Sequence, residues 1–183
     1  MTTPARFFGY GSLVNVATHS YGGVEPAEVG GWRRQWVQSK ARPVSFLSVV
    51  PDPLSRIEGI IAEVGEIGWD GLDEREAAYS RTPLPEPHSG VQIYQAAPEH
   101  LAPPNFGQPI LMSYLDVVVQ GFNALYGDDG VRRFFRSTTG WETGILNDRA
   151  APIYPRSLPM TAADTARTDA FLEDVATTVL ERT

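Results

Sequence analysis

The sequence RFFGYGSLVN, at residues 6–15, runs from an apolar segment directly into two glycines and a serine. Its first part, with Ala5 before it, is typical of a short buried strand. Gly9 and Gly11 follow where this strand would end, and a glycine pair at such a point allows close approach to the backbone. We therefore predict either a ligand-binding loop or a tight turn immediately after the first strand.

Three functional interpretations of this loop compete with a purely structural one. A dinucleotide-binding turn needs G-x-G-x-x-G or a terminal alanine, but Val14 occupies the third glycine position. A nucleophile elbow needs G-x-S-x-G, and neither flanking glycine is present around Ser12. An anion cradle fits the residues, because backbone N–H groups after Ser12 would bind a carboxylate or phosphate. A tight turn capped by Ser12, without any ligand, fits them equally well.

Composition excludes several classes of function. The length of 183 residues predicts one domain with a substantial core. With 22 acidic and 15 basic residues the net charge is −7, which disfavours binding to nucleic acid or to an anionic membrane surface. The absence of cysteine excludes disulfides, thiolate nucleophiles and cysteine-ligated zinc. The three histidines lie far apart in the sequence, so no metal site is predicted.

The N-terminal segment lacks the pattern of a secretory signal, because no apolar run follows a cationic start. Elsewhere the longest apolar run falls far short of the roughly 20 residues that a membrane-spanning helix needs. The expectation from these patterns is a cytoplasmic protein without a membrane segment.

Apolar and β-branched runs predict four further strands. The segment PDPLS at 51–55 is typical of a turn, so the strands on either side of it are expected to form an antiparallel hairpin. The pair Gly30-Gly31 predicts a bulge or bend within the strand that contains it. The predicted strands cover residues 28–40, 44–50, 56–64 and 91–97.

Helical patterns cover much of the remaining chain, and one of them ends at a glycine, as helices commonly do. The last helix has Thr161 or Asp164 as its predicted cap. Strands and helices are mixed without β-α-β alternation, which predicts an α+β fold with a curved sheet or small mixed β-barrel flanked by helices. The predicted helices cover residues 68–80, 110–127, 128–139 and 161–183.

Glu76 falls on the apolar face of the first predicted helix. At about 100° per residue, Trp69, Leu72 and Tyr79 flank it on that face. Amphipathic helices rarely bury a glutamate in this position. The carboxyl group therefore either pairs with a cation, such as Arg81 or another arginine, or has a raised pKa and transfers protons.

Taken together, these segments resemble the γ-glutamylcyclotransferase superfamily. The resemblance rests on YGSL at 10–13 after an N-terminal strand and on LDEREAAY at 72–79, which contains Glu76. The helical segment SYLDVVVQGF, with Tyr114, is similar to a later tyrosine-bearing element of the family. Alanines follow Glu76 in this chain, whereas glycines often follow the family glutamate.

The resemblance extends from residue 6 to about residue 126. We expect one domain over residues 1–183, with a less typical elaboration from about residue 127 that marks a bacterial subgroup. Within this elaboration, Asp148 and Arg149 are interpreted either as part of a lid over the site or as an ion-pairing element of an irregular segment.

The resemblance implies a cofactor-independent enzyme that acts on a small γ-glutamyl substrate. The loop Tyr10, Gly11, Ser12 and Leu13 would bind the substrate's α-carboxylate through backbone N–H groups, with the glycines leaving room for the ligand. Glu76 would be the general acid and base. The substrate's α-amine would attack its own γ-carbonyl, releasing 5-oxoproline and an amine or a shorter peptide, with glutathione-type peptides among the candidate substrates.

Three further residues are expected to contact that substrate, namely Tyr79, Arg81 and Tyr114. For each tyrosine, simple packing with a satisfied hydroxyl is an equally good interpretation. Arg81 is interpreted as a substrate contact, as the partner of Glu76 or as a surface residue. Two other functions fit the same residues: a non-catalytic module that binds small metabolites, and a related acid/base enzyme acting on another small amide.

Overall fold

The computed structural model describes residues 4–103 and 107–182, and a curved six-stranded sheet forms its centre. The nine strands are β1 (Arg6–Gly9), β2 (Gly22–Gln38), β3 (Ser45–Glu63), β4 (Tyr79–Pro83), β5 (Val91–Ala96), β6 (Ile110–Leu111), β7 (Thr138–Thr139), β8 (Ile145–Asn147) and β9 (Val179–Glu181).

The six-stranded sheet has the order β4-β5-β1-β3-β2-β7, and β6, β8 and β9 form a second sheet of three parallel strands. In the larger sheet β1–β5 and β2–β7 are parallel, whereas the other neighbours are antiparallel. Strands β4 and β7 are its two edges within the described residues, so the sheet is open. The predicted α+β fold is thus confirmed as a curved mixed sheet and not as a closed barrel.

Strands β2 and β3 form one long antiparallel ribbon that runs from the pair Gly22–Glu63 to the pair Gln38–Ser45. The predicted strands at 44–50 and 56–64 are therefore a single strand, and the hairpin predicted across 51–55 is wrong. Both halves pair with β2, and the second half also pairs with β1 on its other side.

A large bulge replaces the predicted turn. Trp32 pairs with Pro51 and Gly30 pairs with Arg56, so residues 52–55 lie opposite Gly31 alone. Gly31 has a φ of 84°, a conformation that glycine adopts without steric cost. The turn-forming residues of PDPLS are absorbed in this bulge, and the bulge predicted at Gly30-Gly31 is confirmed.

Three α-helices flank the sheets, and two of them match the sequence prediction in part. The central helix is interrupted at Gly127 (φ 63°, ψ −171°), where the sequence predicted one helix to stop and another to begin. The last helix has the predicted cap, because Thr161 and Asp164 form a capping box, but it ends at Leu172 and the chain then enters β9. The helices are α1 (Gly68–Arg75), α2 (Met112–Ser137) and α3 (Ala162–Leu172).

The main core lies between the six-stranded sheet and α2. Fully buried side chains from β1 and β3, including Phe7 and Ile60, share one apolar cluster with Phe122 and Phe134 of α2. Burial of each such side chain stabilises the fold by about 1.5–3 kcal/mol. None of the described helices combines the length and the apolar character needed to cross a membrane.

Helix α2 holds the loop that follows β1. A Cβ atom added at Gly121 would lie 2.6 Å from the backbone nitrogen of Asn15, so only glycine allows the helix to approach this closely. The buried Asn15 side-chain amide donates to the Val117 carbonyl (3.0 Å) and to Gln120 Oε1 (2.9 Å). The loop between β1 and Asn15 is therefore fixed between the sheet and α2.

Candidate active site

The loop after β1 forms a short 3₁₀ turn over Ser12–Val14. The N–H of Val14 donates to the Gly11 carbonyl (2.9 Å), and the N–H of Asn15 donates to the Ser12 carbonyl (3.1 Å). Gly11 occupies the capping position, and it has no side chain with which to cap. The prediction that Ser12 caps this turn is therefore wrong, because Ser12 is already its first residue.

The protein's own side chains occupy the space beside the two glycines. A Cβ atom at Gly9 would lie 2.7 Å from the Leu13 Cβ, and one at Gly11 would lie 2.7 Å from the Tyr114 hydroxyl oxygen. Both distances are too short for any larger residue. The packing of Leu13 and Tyr114 therefore requires glycine at these two positions.

A small cavity of about 40 Å³ lies beside this loop, with Glu76 in its wall. A buried water needs roughly 10–15 Å³ of such space, so the cavity accommodates a group the size of a carboxylate or an ammonium. Seven of the eight predicted site residues line it, the exception being Arg81. The lining residues are Phe8, Gly9, Tyr10, Gly11, Ser12, Leu13, Leu47, Glu76, Tyr79, Tyr94 and Tyr114.

Glu76 reaches this cavity from the end of α1 and not from a helical face. The helix ends at Arg75, and Glu76 has a φ of −101° and a ψ of 33°. The N–H of Tyr79 donates to the Glu76 carbonyl (2.8 Å), and Tyr79 then pairs with Ala96 in the β4–β5 ladder. The predicted helix begins at Gly68 as expected, but its predicted extension to residue 80 is wrong, because the pairing of Tyr79 requires an extended backbone. The Glu76 side chain nevertheless faces inward and is 18% exposed.

Burial and two positive charges act on the Glu76 carboxyl group in opposite directions. Burial raises its pKa above the ordinary 4.5, and the charges of Arg75 and Arg156 partly oppose that rise. The Arg75 Nε lies 3.2 Å from the Glu76 Oε1, and the Arg75 side chain is only 11% exposed. Helical periodicity places Arg75 away from Glu76, but the helix ends between them. An ion pair and a raised pKa therefore coexist at this glutamate.

The tyrosines around the cavity keep their hydroxyl protons because burial raises their pKa values. The Tyr10 hydroxyl donates to the Tyr94 carbonyl (2.6 Å), and the Tyr79 hydroxyl donates to the Leu47 carbonyl (2.7 Å). The bond of Tyr79 is what the packing interpretation of that residue predicts. The Tyr114 hydroxyl lies instead against the backbone of the loop, at Gly11.

Arg81 lies outside the lining of the cavity. Its Nε is 2.8 Å from the Asp73 Oδ1, and its guanidinium lies 4.4 Å from the centre of the Trp69 ring. Asp73 also accepts a hydrogen bond from the Tyr94 hydroxyl (2.6 Å). Of the interpretations for Arg81, the structure places it in a partly exposed ion pair with Asp73, and Arg75 is the arginine beside Glu76.

No family model and no curated protein matches the sequence. Solved structures do match. The match to YkqA from Bacillus subtilis has a TM-score of 0.57 and 16% identity, and it covers 74% of this chain and 54% of YkqA. This chain therefore spans about half the length of YkqA. A γ-glutamyl cyclotransferase matches over 93% of this chain and 99% of its own (TM-score 0.53, 10% identity). An uncharacterized protein from Homo sapiens matches over the same shares (TM-score 0.51, 11% identity).

The chain has the γ-glutamyl cyclotransferase fold. At these identities the likeness establishes the fold, which agrees with the resemblance seen in YGSL and LDEREAAY. Within the described residues, no three His, Asp or Glu side chains come together in a group that could hold a metal ion.

Several residues in or beside the cavity were not predicted from the sequence to belong to the site. Tyr94 and Leu47 line the cavity from β5 and β3, and Tyr154 packs edge-on against Tyr114 with ring centres 5.0 Å apart. Alternation in the strands marks Leu47 and Tyr94 as buried, but not as parts of this cavity. The position of Tyr154 depends on the path of an irregular segment and has no local signal.

The raised pKa of Glu76 predicts a specific pH dependence of stability. A carboxyl group whose pKa is raised on folding favours the folded state fully below its unfolded pKa of 4.5, and this contribution is lost as the pH rises through the folded pKa. Glutamine stays neutral throughout. We expect Glu76→Gln to be more stable than wild type at about pH 7, with a difference that shrinks as the pH falls through the folded pKa and is absent below about 4.5.

Urea unfolding of both proteins between about pH 4 and pH 8 measures this difference. Glu66→Gln serves as the matched control, because Glu66 is exposed. A Glu76→Gln protein that is less stable than wild type at about pH 7 would show that the Arg75 ion pair outweighs the burial of the carboxylate.

Proposed function

We propose that the protein is a γ-glutamyl cyclotransferase that releases 5-oxoproline, with Glu76 as its general acid and base. One observation carries the proposal: Glu76 and the loop Tyr10–Leu13 line the same small cavity. An acid/base group and a set of backbone N–H donors are the two elements that this reaction needs at one place. The fold that the chain shares with a γ-glutamyl cyclotransferase supports the proposal.

The raised pKa suits Glu76 to both halves of the proton transfer. A base works best when its pKa lies near the working pH, because it then binds the proton firmly enough to remove it and still releases it. Burial moves the carboxyl group of Glu76 in that direction. Arg75, 3.2 Å away, limits the rise and keeps the carboxylate form accessible.

The reaction joins two ends of one molecule. The α-amine nitrogen forms a bond to the γ-carbonyl carbon, and the bond from that carbon to the leaving nitrogen breaks. The substrate ammonium loses two protons as it becomes the lactam N–H, and the leaving nitrogen gains two as it departs as an ammonium. Glu76 takes a proton from the attacking nitrogen and returns one to the leaving nitrogen, so it ends each turnover unchanged.

The remaining task of the site is to hold the substrate in a folded shape. Because nucleophile and electrophile belong to the same molecule, correct orientation removes much of the entropic barrier. In this proposal the backbone N–H groups of Gly11, Ser12 and Leu13 bind the α-carboxylate. The cavity is large enough for that end of the substrate, and the leaving half extends toward solvent. The Tyr114 hydroxyl, which lies against the loop at Gly11, orients the bound group.

The proposal is tested by incubating the purified protein with γ-glutamyl amino acids, γ-glutamyl peptides and γ-glutamyl amines. We expect 5-oxoproline to form from at least one class, detected by chromatography against the same compounds without protein. Thermal stabilisation of the protein by these compounds without any 5-oxoproline would favour a non-catalytic binding module. Neither stabilisation nor turnover by a folded protein would contradict a γ-glutamyl site altogether.

A further inference from the structure

The segment after β8 is anchored by a fully buried carboxylate. Asp148 accepts three hydrogen bonds: one from the Ser113 N–H (2.8 Å), one from the Ser113 hydroxyl (2.6 Å) and one from the Ile153 N–H (2.8 Å). The next residue, Arg149, forms a two-pronged ion pair with Asp116 at 2.7 and 2.9 Å. These bonds tie the segment to the first turns of α2, next to Tyr114.

This anchoring places a turn beside the candidate active site. The Tyr154 N–H donates to the Ser113 hydroxyl (3.3 Å), and the Tyr154 ring packs edge-on against Tyr114, which lines the cavity. The Ser157 N–H then donates to the Tyr154 carbonyl (3.1 Å), closing a turn in which Arg156 is the third residue. Arg156 therefore projects from a turn held against the wall of the cavity.

Arg156 is an exposed cation in this turn. Among the side chains that the structure describes, no carboxylate lies within 4 Å of its guanidinium, whereas nine other arginines have such a partner. Its charge, together with that of Arg75, partly opposes the rise that burial causes in the pKa of Glu76. A free arginine beside a cavity, in a chain of net charge −7, suits an anionic ligand group.

We propose that Arg156 determines substrate preference by binding an anionic group on the leaving half of the γ-glutamyl substrate. This inference rests on the proposed function, and it concerns a part of the substrate that neither Glu76 nor the loop Tyr10–Leu13 contacts. The preferred leaving group carries a carboxylate close to the scissile amide. A neutral amine of the same size would be released less efficiently.

Two compounds that differ only at that group test the inference: γ-glutamyl-alanine and γ-glutamyl-alaninamide. Hydrogen bonds to charged groups are worth enough to give a preference of about tenfold or more in kcat/KM, and we expect wild type to favour the carboxylate by that factor. Arg156→Gln should remove the preference, mainly through a higher KM for γ-glutamyl-alanine, with about twofold or less change for the amide. Arg156→Lys should restore part of it.

Arg136→Gln is the matched control, because Arg136 is an exposed arginine near the C-terminal end of α2. It should leave the preference unchanged. Equal rates for both compounds in wild type, or an equal loss for both in Arg156→Gln, would overturn this inference alone, since Arg156 would then act only through Glu76. Release of 5-oxoproline from neither compound, while another γ-glutamyl compound is turned over, would overturn this inference alone. Release from no γ-glutamyl compound would overturn the proposed function and this inference with it.

Discussion

Glu76→Gln is expected to lower 5-oxoproline release by about 10²–10⁴-fold, the usual contribution of a general acid or base. Glutamine has nearly the same shape as glutamate and keeps an oxygen that faces Arg75. It can neither take a proton from the substrate ammonium nor return one to the leaving nitrogen. The loss should therefore fall on kcat and on kcat/KM alike, because substrate binding does not require the proton transfer.

The measurement compares initial rates of wild type, Glu76→Gln and the exposed control Glu66→Gln on the substrate that wild type prefers. Near-ultraviolet circular dichroism confirms that the core around Tyr79 and Tyr114 is unchanged. Because the same substitution is expected to raise stability at about pH 7, an inactive but more stable protein would separate catalysis from folding. Wild-type rates in Glu76→Gln would remove Glu76 from the mechanism.

The local part of the candidate site could be predicted from the sequence because short segments carry it. The glycines at 9 and 11 mark the end of a buried strand, and a glutamate among apolar residues marks an inward-facing carboxyl group. Helical periodicity predicted correctly that Glu76 is buried, but it placed the residue on a helical face, where it does not lie. The helix ends at Arg75, and the turn into β4 directs Glu76 toward the cavity.

Long-range pairing explains what could not be predicted. The segment PDPLS has the residues of a turn, but β2 offers Gly31 opposite it, and the ladder continues on both sides of a bulge. Local preferences of five residues cannot reveal a partner strand of 17 residues. The parallel pairing of β9 with β8 likewise replaces the end of the predicted closing helix, because that pairing depends on a strand more than 30 residues earlier.

The same limit applies to the residues that complete the cavity. Tyr94 and Leu47 belong to different strands that meet only through the order β5-β1-β3 of the sheet. Tyr154 and Arg156 lie in an irregular segment whose path is determined by the buried Asp148. From the sequence, Asp148 and Arg149 were interpreted either as part of a lid over the site or as an ion-pairing element of an irregular segment. The structure shows the ion pair of Arg149 with Asp116 and places the following turn against Tyr114.

Asp148→Ala is expected to lower the free energy of unfolding by about 3 kcal/mol, because it leaves buried donors without a partner. The Ser113 N–H, the Ser113 hydroxyl and the Ile153 N–H would all lose the carboxylate oxygen to which they donate. Urea unfolding measures the loss. The exposed control Asp174→Ala should change stability by less than about 0.5 kcal/mol. Equal stability of Asp148→Ala and wild type would show that water replaces the carboxylate at no cost.

The same substitution tests what the anchored segment does. Without Asp148 the Ile153 N–H loses its link to Ser113, and the turn at Tyr154–Ser157 is bonded to Ser113 only through the Tyr154 N–H (3.3 Å), so trypsin should cleave after Arg156 faster than in wild type. Arg156 would no longer be held beside the cavity, and the preference for γ-glutamyl-alanine over γ-glutamyl-alaninamide should fall as in Arg156→Gln. Release from the amide should continue, because Glu76 and the loop Tyr10–Leu13 are held by other contacts. A preference that survives in Asp148→Ala, with faster cleavage after Arg156, would show that the anchored turn does not select the leaving group.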